Sequence, residues 1–455
     1  MNFIPQSGKG NAQGHGHRHH PLDNGGPVFD RRDSTLGIMD DLQVAVHTYD
    51  GCSRGCPGCV VDKHFKNRAR GEPIMPQEDL AIVQARVAEY YEWARENLNN
   101  RDDPDAYFSK TGYQIAHYSY TMRFGNHSEL PTDDLIMIAD TLAAEFKVWS
   151  TAPTEEVPKF ADVRKAVPGN YFLEIIYDPV ADDAAFVRDM IIEMRRHDIR
   201  GYPEVLITQR LLNALSPEQF VDEYLAPLGD LDVQVQFGRY SPSKTRSYSQ
   251  TQVVPVDQEV DWLTTVAKRV VDQKLKLHPI PIAEYAVTLL DEYDELSAWE
   301  DGRGVDLNNL PQAQPFHAKR IMEKTRDIFL SSLYIDHNLD VFVWSESMGQ
   351  HVLDWNFGFK ALGNVRDRSI QDIVTEKGGV VDQMLVEVMR NLMTHKKCAP
   401  CRYKSFCASH AVPLFRKWHD DDGKHCYGYL PVIREFQKDY RFLQNMIDGF
   451  RDLEF

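Results

Sequence analysis

Residues 44–62 read VAVHTYDGCSRGCPGCVVD, and this stretch sets the reading of the whole chain. Val44 to Tyr49 is an apolar run with β-branched residues, which predicts a strand. The loop that follows holds Cys52, Cys56 and Cys59 at C-x3-C-x2-C spacing. Three thiolates this close together can wrap one metal centre, and they fall one ligand short of closing an iron–sulfur cluster. A cubane cluster with three protein ligands leaves one iron open to a small molecule, as a three-ligand zinc site leaves its metal open. A zinc knuckle, or three unrelated buried thiols, is the alternative reading of the same spacing.

Composition narrows the field. A chain of 455 residues is long enough for roughly two to three domains. The formal net charge is −17, which argues against general binding to nucleic acid or to an anionic membrane and leaves room for a basic or neutral substrate. No apolar run reaches the roughly 18 residues that a membrane helix needs, and the N-terminus has no apolar core of a secretory signal. The seven cysteines are an odd count, so a complete set of disulfides is impossible. They fall only at 52–59 and 398–426, and clustered thiols of this kind read as metal ligands in a reducing cytoplasm.

Residues 1–40, rich in Gly, Pro, Asp and His and carrying His15, His17, His19 and His20, are expected to be a mobile tail. From residue 41 strands and helices alternate. Strands are predicted at 43–49, 114–123, 145–150, 171–178, 204–208 and 232–238. Helices are predicted at 76–98, 132–144, 158–166, 182–197 and 216–226, with a polar insertion at 99–112. Six β–α repeats with short connections predict a parallel sheet with helices outside it, the order of an incomplete barrel. In such a sheet chemistry sits at the carboxyl ends of the strands, and the cysteine loop leaves the first of them. Residues 251–329 read as a helical bridge. A C-terminal lobe, 330–455, opens with a hairpin in FLSSLYIDHNLDVFVW and continues with a turn into a helix in LGNVRDRSIQDIV. It ends on an amphipathic helix over 430–455.

A strand, then a C-x3-C-x2-C loop, at the front of an α/β repeat resembles the radical S-adenosylmethionine (radical SAM) superfamily. The resemblance implies a [4Fe–4S] cluster on Cys52, Cys56 and Cys59 whose open iron chelates SAM. It also implies reductive cleavage to a 5′-deoxyadenosyl radical and an electron donor such as flavodoxin or ferredoxin. The family usually has an aromatic before the third cysteine; here it is Gly58. Cys398, Cys401, Cys407 and Cys426 follow at C-x2-C-x5-C-x18-C, and spacing alone leaves zinc and iron–sulfur both open. With the LYIDHNLDVFVW and LGNVRDRSIQDI segments they resemble the SPASM domain of many radical SAM enzymes, which implies a fully ligated auxiliary [4Fe–4S] cluster. The family's ligands to a second, inner auxiliary cluster are missing, with Trp344 and Ala411 at two of those positions.

The same resemblance implies where SAM is held. RFGNHSELP matches a degenerate form of the family's glycine-rich motif, with Gly125 for close approach and Glu129, or alternatively His127, as the polar contact. Ser150 and Thr151 end strand three. Glu174 and Asp178 on strand four face the ribose hydroxyls, Asp178 also fitting an Asx turn before Pro179. Arg210, next to Gln209, pairs the SAM carboxylate, and Arg239, Tyr240 and Ser243 follow strand six. The expected activity is hydrogen abstraction from a peptide or protein side chain, leading to a cross-link, an oxidation or an epimerisation, with a separate leader-peptide-binding protein as partner. The alternatives are a radical SAM enzyme acting on a sugar, amino acid or cofactor precursor, and a non-catalytic iron–sulfur or zinc protein.

Overall fold

The computed structural model describes residues 41–49, 51, 75–98, 117–144, 146–151, 154–239, 252–280, 282–292, 329–343, 361–404, 426 and 430–451, with shorter pieces between 295 and 326. The 1–40 tail, the cysteine loop 52–59, the 99–112 insertion, Tyr240, Ser243, Trp344, Cys407 and Ala411 lie outside the described residues.

The strands are β1 (Asp41–Tyr49), β2 (His117–Phe124), β3 (Phe146–Thr151), β4 (Asn170–Tyr177), β5 (Arg200–Ile207), β6 (Val233–Arg239), β7 (Leu277–Ile280), β8 (Ser332–Ile335), β9 (Asp340–Val343) and β10 (Gly363–Asn364). They form one sheet in the order β10-β9-β8-β1-β2-β3-β4-β5-β6-β7. From β1 to β7 each strand pairs in parallel with the next in sequence. The chain therefore winds in one direction, and right-handed crossovers place its connecting helices on one face of the sheet. The helices are α1 (Gln77–Leu98), α2 (Thr132–Thr141), α3 (Val157–Ala166), α4 (Ala184–Arg196), α5 (Gln209–Ala214), α6 (Val256–Asp272), α7 (Ile282–Glu292), α8 (Ile370–Val374), α9 (Val380–Thr394), α10 (Leu430–Lys438) and α11 (Tyr440–Arg451).

Alternation along the strands sorts the side chains into two faces. Val46, Met122, Trp149 and Leu173 stand in one cross-strand row and are buried in the same core as the helices. Helix α1 contributes Leu80, Val83, Val87, Tyr90 and Ala94, a stripe at helical spacing with no exposure. Gln84 of α1 takes a hydrogen bond from the Tyr120 hydroxyl at 2.8 Å and donates to Tyr118 at 2.9 Å, so both tyrosines of β2 pack under the helix. The other face of the sheet is different. Toward the amino ends of the strands Phe146, Phe172 and Tyr202 pack ring against ring, tilted and edge-on, with centroids 6.4 and 4.8 Å apart. Buried polar side chains share this face: Gln43 and Ser119 on the rung of Phe146, Thr121 on that of Phe172, and Glu174 and Gln236 nearer the carboxyl ends.

The sheet is longer than six strands. Leu277–Ile280 pairs with β6 in the stretch expected to be a helical bridge, with Pro279 opposite Val235. The sequence there, KLHPIPI, carries two prolines that hide a strand from pattern reading. Proline is tolerated because β7 is the last strand of the sheet, where a missing donor leaves no ladder bond unmade.

The hairpin at 332–343 is formed as expected, with Asp336 as its Asx turn. The Asp336 carboxylate accepts the Asn338 and Asp340 N–H groups at 2.9 Å, and Leu339 takes a positive φ of 68°. It does not start a separate sheet, because β8 pairs in parallel with β1 and extends the central sheet on its other side. The turn and helix after it dock on α1: Arg86 donates to the Val365 carbonyl at 3.1 Å, Gln371 to Glu89 at 3.0 Å, and Arg366 pairs with Asp79. The C-terminal stretch is two helices rather than one. Asp439 breaks it, its carboxylate capping the second helix through the Phe442 N–H at 3.1 Å. Both pack on α7, and α10 also on α6, so they lie on the helical side of the sheet. No described helix is long and apolar enough to cross a membrane.

One buried charge stands against this packing. Lys147 on β3 is 1% exposed, donates to the Ala144 carbonyl and lies 5.4 Å from the Tyr171 ring centroid. Burial brings its amine down to about 8 from 10.5, with Asp140 acting weakly the other way. Replacement by an apolar chain of similar length should help. Lys147→Met is expected to raise the thermal midpoint at pH 7 by about 2–4 °C. The unfolded chain holds the lysine proton up to 10.5 and the native state only to about 8, so wild-type stability recovers as pH rises between them. The gap to the variant should narrow over that range; melting curves at pH 7 and pH 9.5 check it.

Candidate active site at the carboxyl ends of the strands

The site begins with a register fault. Strands β1 and β2 pair rung by rung to Val46 opposite Met122, and the next pair is Tyr49 opposite Phe124. Strand β1 thus spends one extra residue, a bulge, just before the cysteine loop. Within the bulge two neighbouring polar side chains go to different partners on the two faces of the sheet. His47 shares a hydrogen bond with the Tyr334 hydroxyl at 3.0 Å, tying β1 to β8, and Thr48 shares one with His127 Nε2 at 2.8 Å, tying β1 to the loop after β2.

That loop, Gly125 to Leu130, is built against the base of the cysteine loop. Tyr49 is 1% exposed and sits between two glycines. A methyl group on Gly125 would overlap the Tyr49 backbone carbonyl and ring, and one on Gly51 would overlap the Tyr49 phenol. The Asn126 N–H donates to the Gly51 carbonyl at 2.9 Å, so the last described residue before Cys52 is pinned to the β2 loop. The Asn126 side chain then organises the rest. Its oxygen accepts from the Ser128 hydroxyl at 2.8 Å and its amide donates to Glu129 at 3.3 Å. Lys159 of α3 closes the loop from behind, donating to the Ser128 and Leu130 carbonyls at 2.5 and 3.1 Å while pairing with Glu156 at 2.6 Å.

His127 belongs to this base and not to an exposed polar contact. It has no exposure and packs edge-on to Trp149, centroids 5.5 Å apart, with Tyr49 at 5.9 Å. Burial, helped by the neighbouring His47 and opposed by a hydrogen bond at the Gly125 backbone, brings its imidazole down to about 3 from 6.5. The ring is neutral and acts as a fixed hydrogen-bonding wedge.

The other expected SAM contacts are spread along the same rim. Ser150 lies on β3 in backbone register with Glu174 of β4, which is 2% exposed. Asp178, at the end of β4, and Arg210, at the start of α5, meet in an ion pair of 2.7 Å. Asp178 also makes the expected Asx turn, accepting from the Val180 N–H at 3.1 Å. Helix α5 is capped by Thr208, whose hydroxyl accepts the Leu211 N–H at 3.1 Å. The acid and base assigned to different parts of one ligand therefore pair with each other, bridging the ends of β4 and β5. The sequence reading did not single out the base formed by Thr48, Tyr49 and Gly51. The signal was the pair of glycines on either side of the two strand ends. Nor did it single out Glu204 of β5, or Gln236, which the polar–apolar alternation of VQVQ in β6 announces.

At the second cysteine cluster, the Cys401 N–H donates to the Cys398 carbonyl at 2.9 Å, closing a tight turn after α9. His395, 1% exposed, accepts from the Lys397 and Cys398 N–H groups at 3.3 Å. Burial pushes the Cys401 thiol up, opposed by the Tyr403 N–H and by Lys404, Arg434 and Arg402. The turn is anchored to the rest of the chain by Arg402, donating to the Asn308 carbonyl at 3.2 Å, and by Tyr403, whose hydroxyl accepts from Gln437 at 3.1 Å. Among the described residues no group of three His, Cys, Asp or Glu gathers as a metal site; Cys52, Cys56, Cys59 and Cys407 are outside them. No protein-family model matches the chain, and no curated protein matches it.

Two substitutions test the base. Gly125→Ala should destabilise the fold by about 1–3 kcal/mol, read by urea unfolding, because Tyr49 is held on both sides. His127→Gln should also destabilise at pH 7. Between 6.5 and about 3 the unfolded chain binds a proton that native His127 does not, so its contribution is complete above that window and fades as pH falls through it. The difference between wild type and His127→Gln should shrink from pH 7 to pH 5; a constant difference would contradict the buried neutral ring.

Proposed function

We propose that the chain is a radical SAM enzyme that abstracts hydrogen from a peptide or protein side chain, with a partial barrel at 41–250 and a SPASM-like domain carrying one auxiliary [4Fe–4S] cluster. The observation that carries this reading is the placement of the C-x3-C-x2-C loop. It leaves the carboxyl end of β1 in a consecutively wound parallel sheet, and the glycine-bearing loop after β2 is hydrogen-bonded to its base at Gly51. That end of such a sheet is where ligands bind.

The donor set fits the group: three thiols from one short loop suit a cluster with one open iron, and four from the C-terminal segment suit a closed one. A [4Fe–4S] cluster on Cys52, Cys56 and Cys59 would supply the electron that opens SAM to the 5′-deoxyadenosyl radical. The remaining work falls to the chain. Glu129, held by the Asn126 amide, offers a carboxylate to an ammonium group. Arg210 offers a guanidinium to a carboxylate, in exchange with or alongside Asp178. Ser150, near the end of β3, stands in backbone register with Glu174 in the middle of β4. The bulge and His127 hold the base of the cysteine loop fixed while these groups engage.

A peptide substrate is favoured over a small molecule by the position of the last helices. Helices α10 and α11 pack on α6 and α7 in the helical layer, and the opposite face of the sheet carries the buried polar groups.

After anaerobic reconstitution and reduction, the wild-type chain should release 5′-deoxyadenosine from SAM and Cys56→Ala should release none. Equal amounts from both would overturn the assignment, and none from either would favour a non-catalytic metal protein. Cys401→Ala should retain about half of the iron; full iron content would remove the auxiliary cluster.

A further inference from the structure

The chain carries 68 Asp and Glu residues, yet none falls between Glu387 and Asp420. In the described part of that interval stand Arg390, Lys396, Lys397, Arg402 and Lys404, around the first two thiols of the second cysteine cluster. Helix α9 leads into it, and its two sides differ. Val381, Met384, Leu385, Val388 and Leu392 are buried. Val386, Arg390 and Met393, at i, i+4 and i+7, share the opposite side. Val386 is 60% exposed and Met393 52%, two of the three large hydrophobic side chains that stand exposed among the described residues. Arg390, between them, pairs with Glu387 on the helix surface, a contact of the kind that contributes little and exchanges freely. Lys396 and Lys397 follow directly and are both exposed.

Charge decides what this face receives. Apolar side chains set among cations, with Met and Arg prominent, are the composition of a protein interface. A nucleic acid finds little to hold on a chain of net charge −17. A twofold dimer of this chain would lay the face on itself and set lysine against lysine. An acidic protein, by contrast, is repelled by the rest of the surface and attracted here, which fixes both the place and the orientation of docking. Cys398 and Cys401, both half-buried, lie at the edge of the face, with the exposed Arg402 and Arg434 near the Cys401 thiol. An iron–sulfur centre closed by four thiolates has no open position for a ligand, and what it exchanges with a partner is electrons.

We infer that the face of α9 from Val386 to Met393, with Lys396 and Lys397, is a docking surface for a small acidic electron-carrier protein, seated beside the second cysteine cluster. The inference deepens the proposed function and rests on it for the iron–sulfur centre. The docking itself stands on the charge and exposure of the face. The two apolar side chains form the centre of the contact, and the lysines meet the partner's carboxylates at its border.

The test uses the full-length reconstituted chain, with a flavodoxin and a ferredoxin as acidic probes and a short RNA duplex for comparison, in anaerobic titration calorimetry. At least one carrier should bind, and at least about tenfold more weakly when salt rises from about 0.02 to about 0.3 M. The double variant Lys396→Glu with Lys397→Glu should weaken binding at least about tenfold, and so should Val386→Ser with Met393→Ser. Lys165→Glu, a charge reversal at an exposed lysine of α3, should leave binding unaltered. The lysines adjoin Cys398, so the iron content and melting curve of each variant are compared with wild type; if the lysine pair loses iron, the serine pair decides. Binding of neither carrier, or binding that ignores both pairs, would overturn the inference. So would binding of the RNA through the same residues, or a dimer that the serine pair splits, which would give the face to a second copy. SAM cleavage driven by dithionite should be unchanged in the variants, while cleavage driven by the reduced carrier should fall. Dithionite-driven cleavage in a chain whose carrier ignores the face would sink the docking surface and leave the proposed function standing. Face-dependent binding in a chain that never cleaves SAM would do the reverse.

Discussion

The extra residue in β1 is the constraint on which the rest of the site depends. His47 and Thr48 keep the alternation of the strand, His47 toward Tyr334 on the face away from the helices and Thr48 toward His127, which packs on Trp149 of the helical face; the extra residue then brings Tyr49 opposite Phe124. With it, β1 reaches three neighbours in three residues: Tyr334 through His47, His127 through Thr48, and the glycine-lined slot of Gly51 and Gly125 through Tyr49. Each is buried, and a buried polar pair or a close glycine contact tolerates little displacement. The chain that leaves Tyr49 toward Cys52 therefore starts from a fixed point. A loop of closely spaced thiols needs such a start if its ligands are to converge on one centre.

The two faces of the sheet divide the labour. The helical face holds the core, from Val46 to Leu173 across four strands, and even the charged Lys147 is taken into it. The opposite face is plugged by Phe146, Phe172 and Tyr202 toward the amino ends and carries buried polar side chains from those rungs to the carboxyl ends. Stability sits at one end of the strands and candidate chemistry at the other, as parallel α/β sheets commonly arrange it. The C-terminal helices reinforce the helical layer at α6 and α7, and the hairpin of β8 and β9 lengthens the sheet beside β1. The C-terminal third is thus tied to the front of the chain at the strand that carries the cysteine loop.

Much of this was legible in the sequence, for physical reasons. Strands such as YFLEIIYD are apolar at most positions because both faces are buried, and α1 shows its stripe because one side meets the core and the other meets water. The turn at Asp336 announces itself by composition. β7 was hidden because its prolines are permitted only by its edge position, a tertiary fact. The break at Asp439 was hidden because the amphipathic period runs through it. At the site, Gly125 was marked by the need for close approach, and the close approach is to Tyr49. The Asp178–Arg210 pair was not foreseeable, since the residues are 32 apart and meet only because β4 and β5 are neighbours. The bulge itself leaves no mark in composition; it appears only when β1 is laid against β2.

The central claim is that one iron of the front cluster is left for SAM to complete. Electron paramagnetic resonance of the anaerobically reconstituted, chemically reduced chain tests it most directly, recorded with and without SAM carrying nitrogen-15 in its amino group. The account predicts a reduced [4Fe–4S] signal whose g-values shift on adding SAM and which gains hyperfine coupling to the labelled nitrogen. A cluster signal that SAM leaves unmoved, with no coupling to the label, would contradict it.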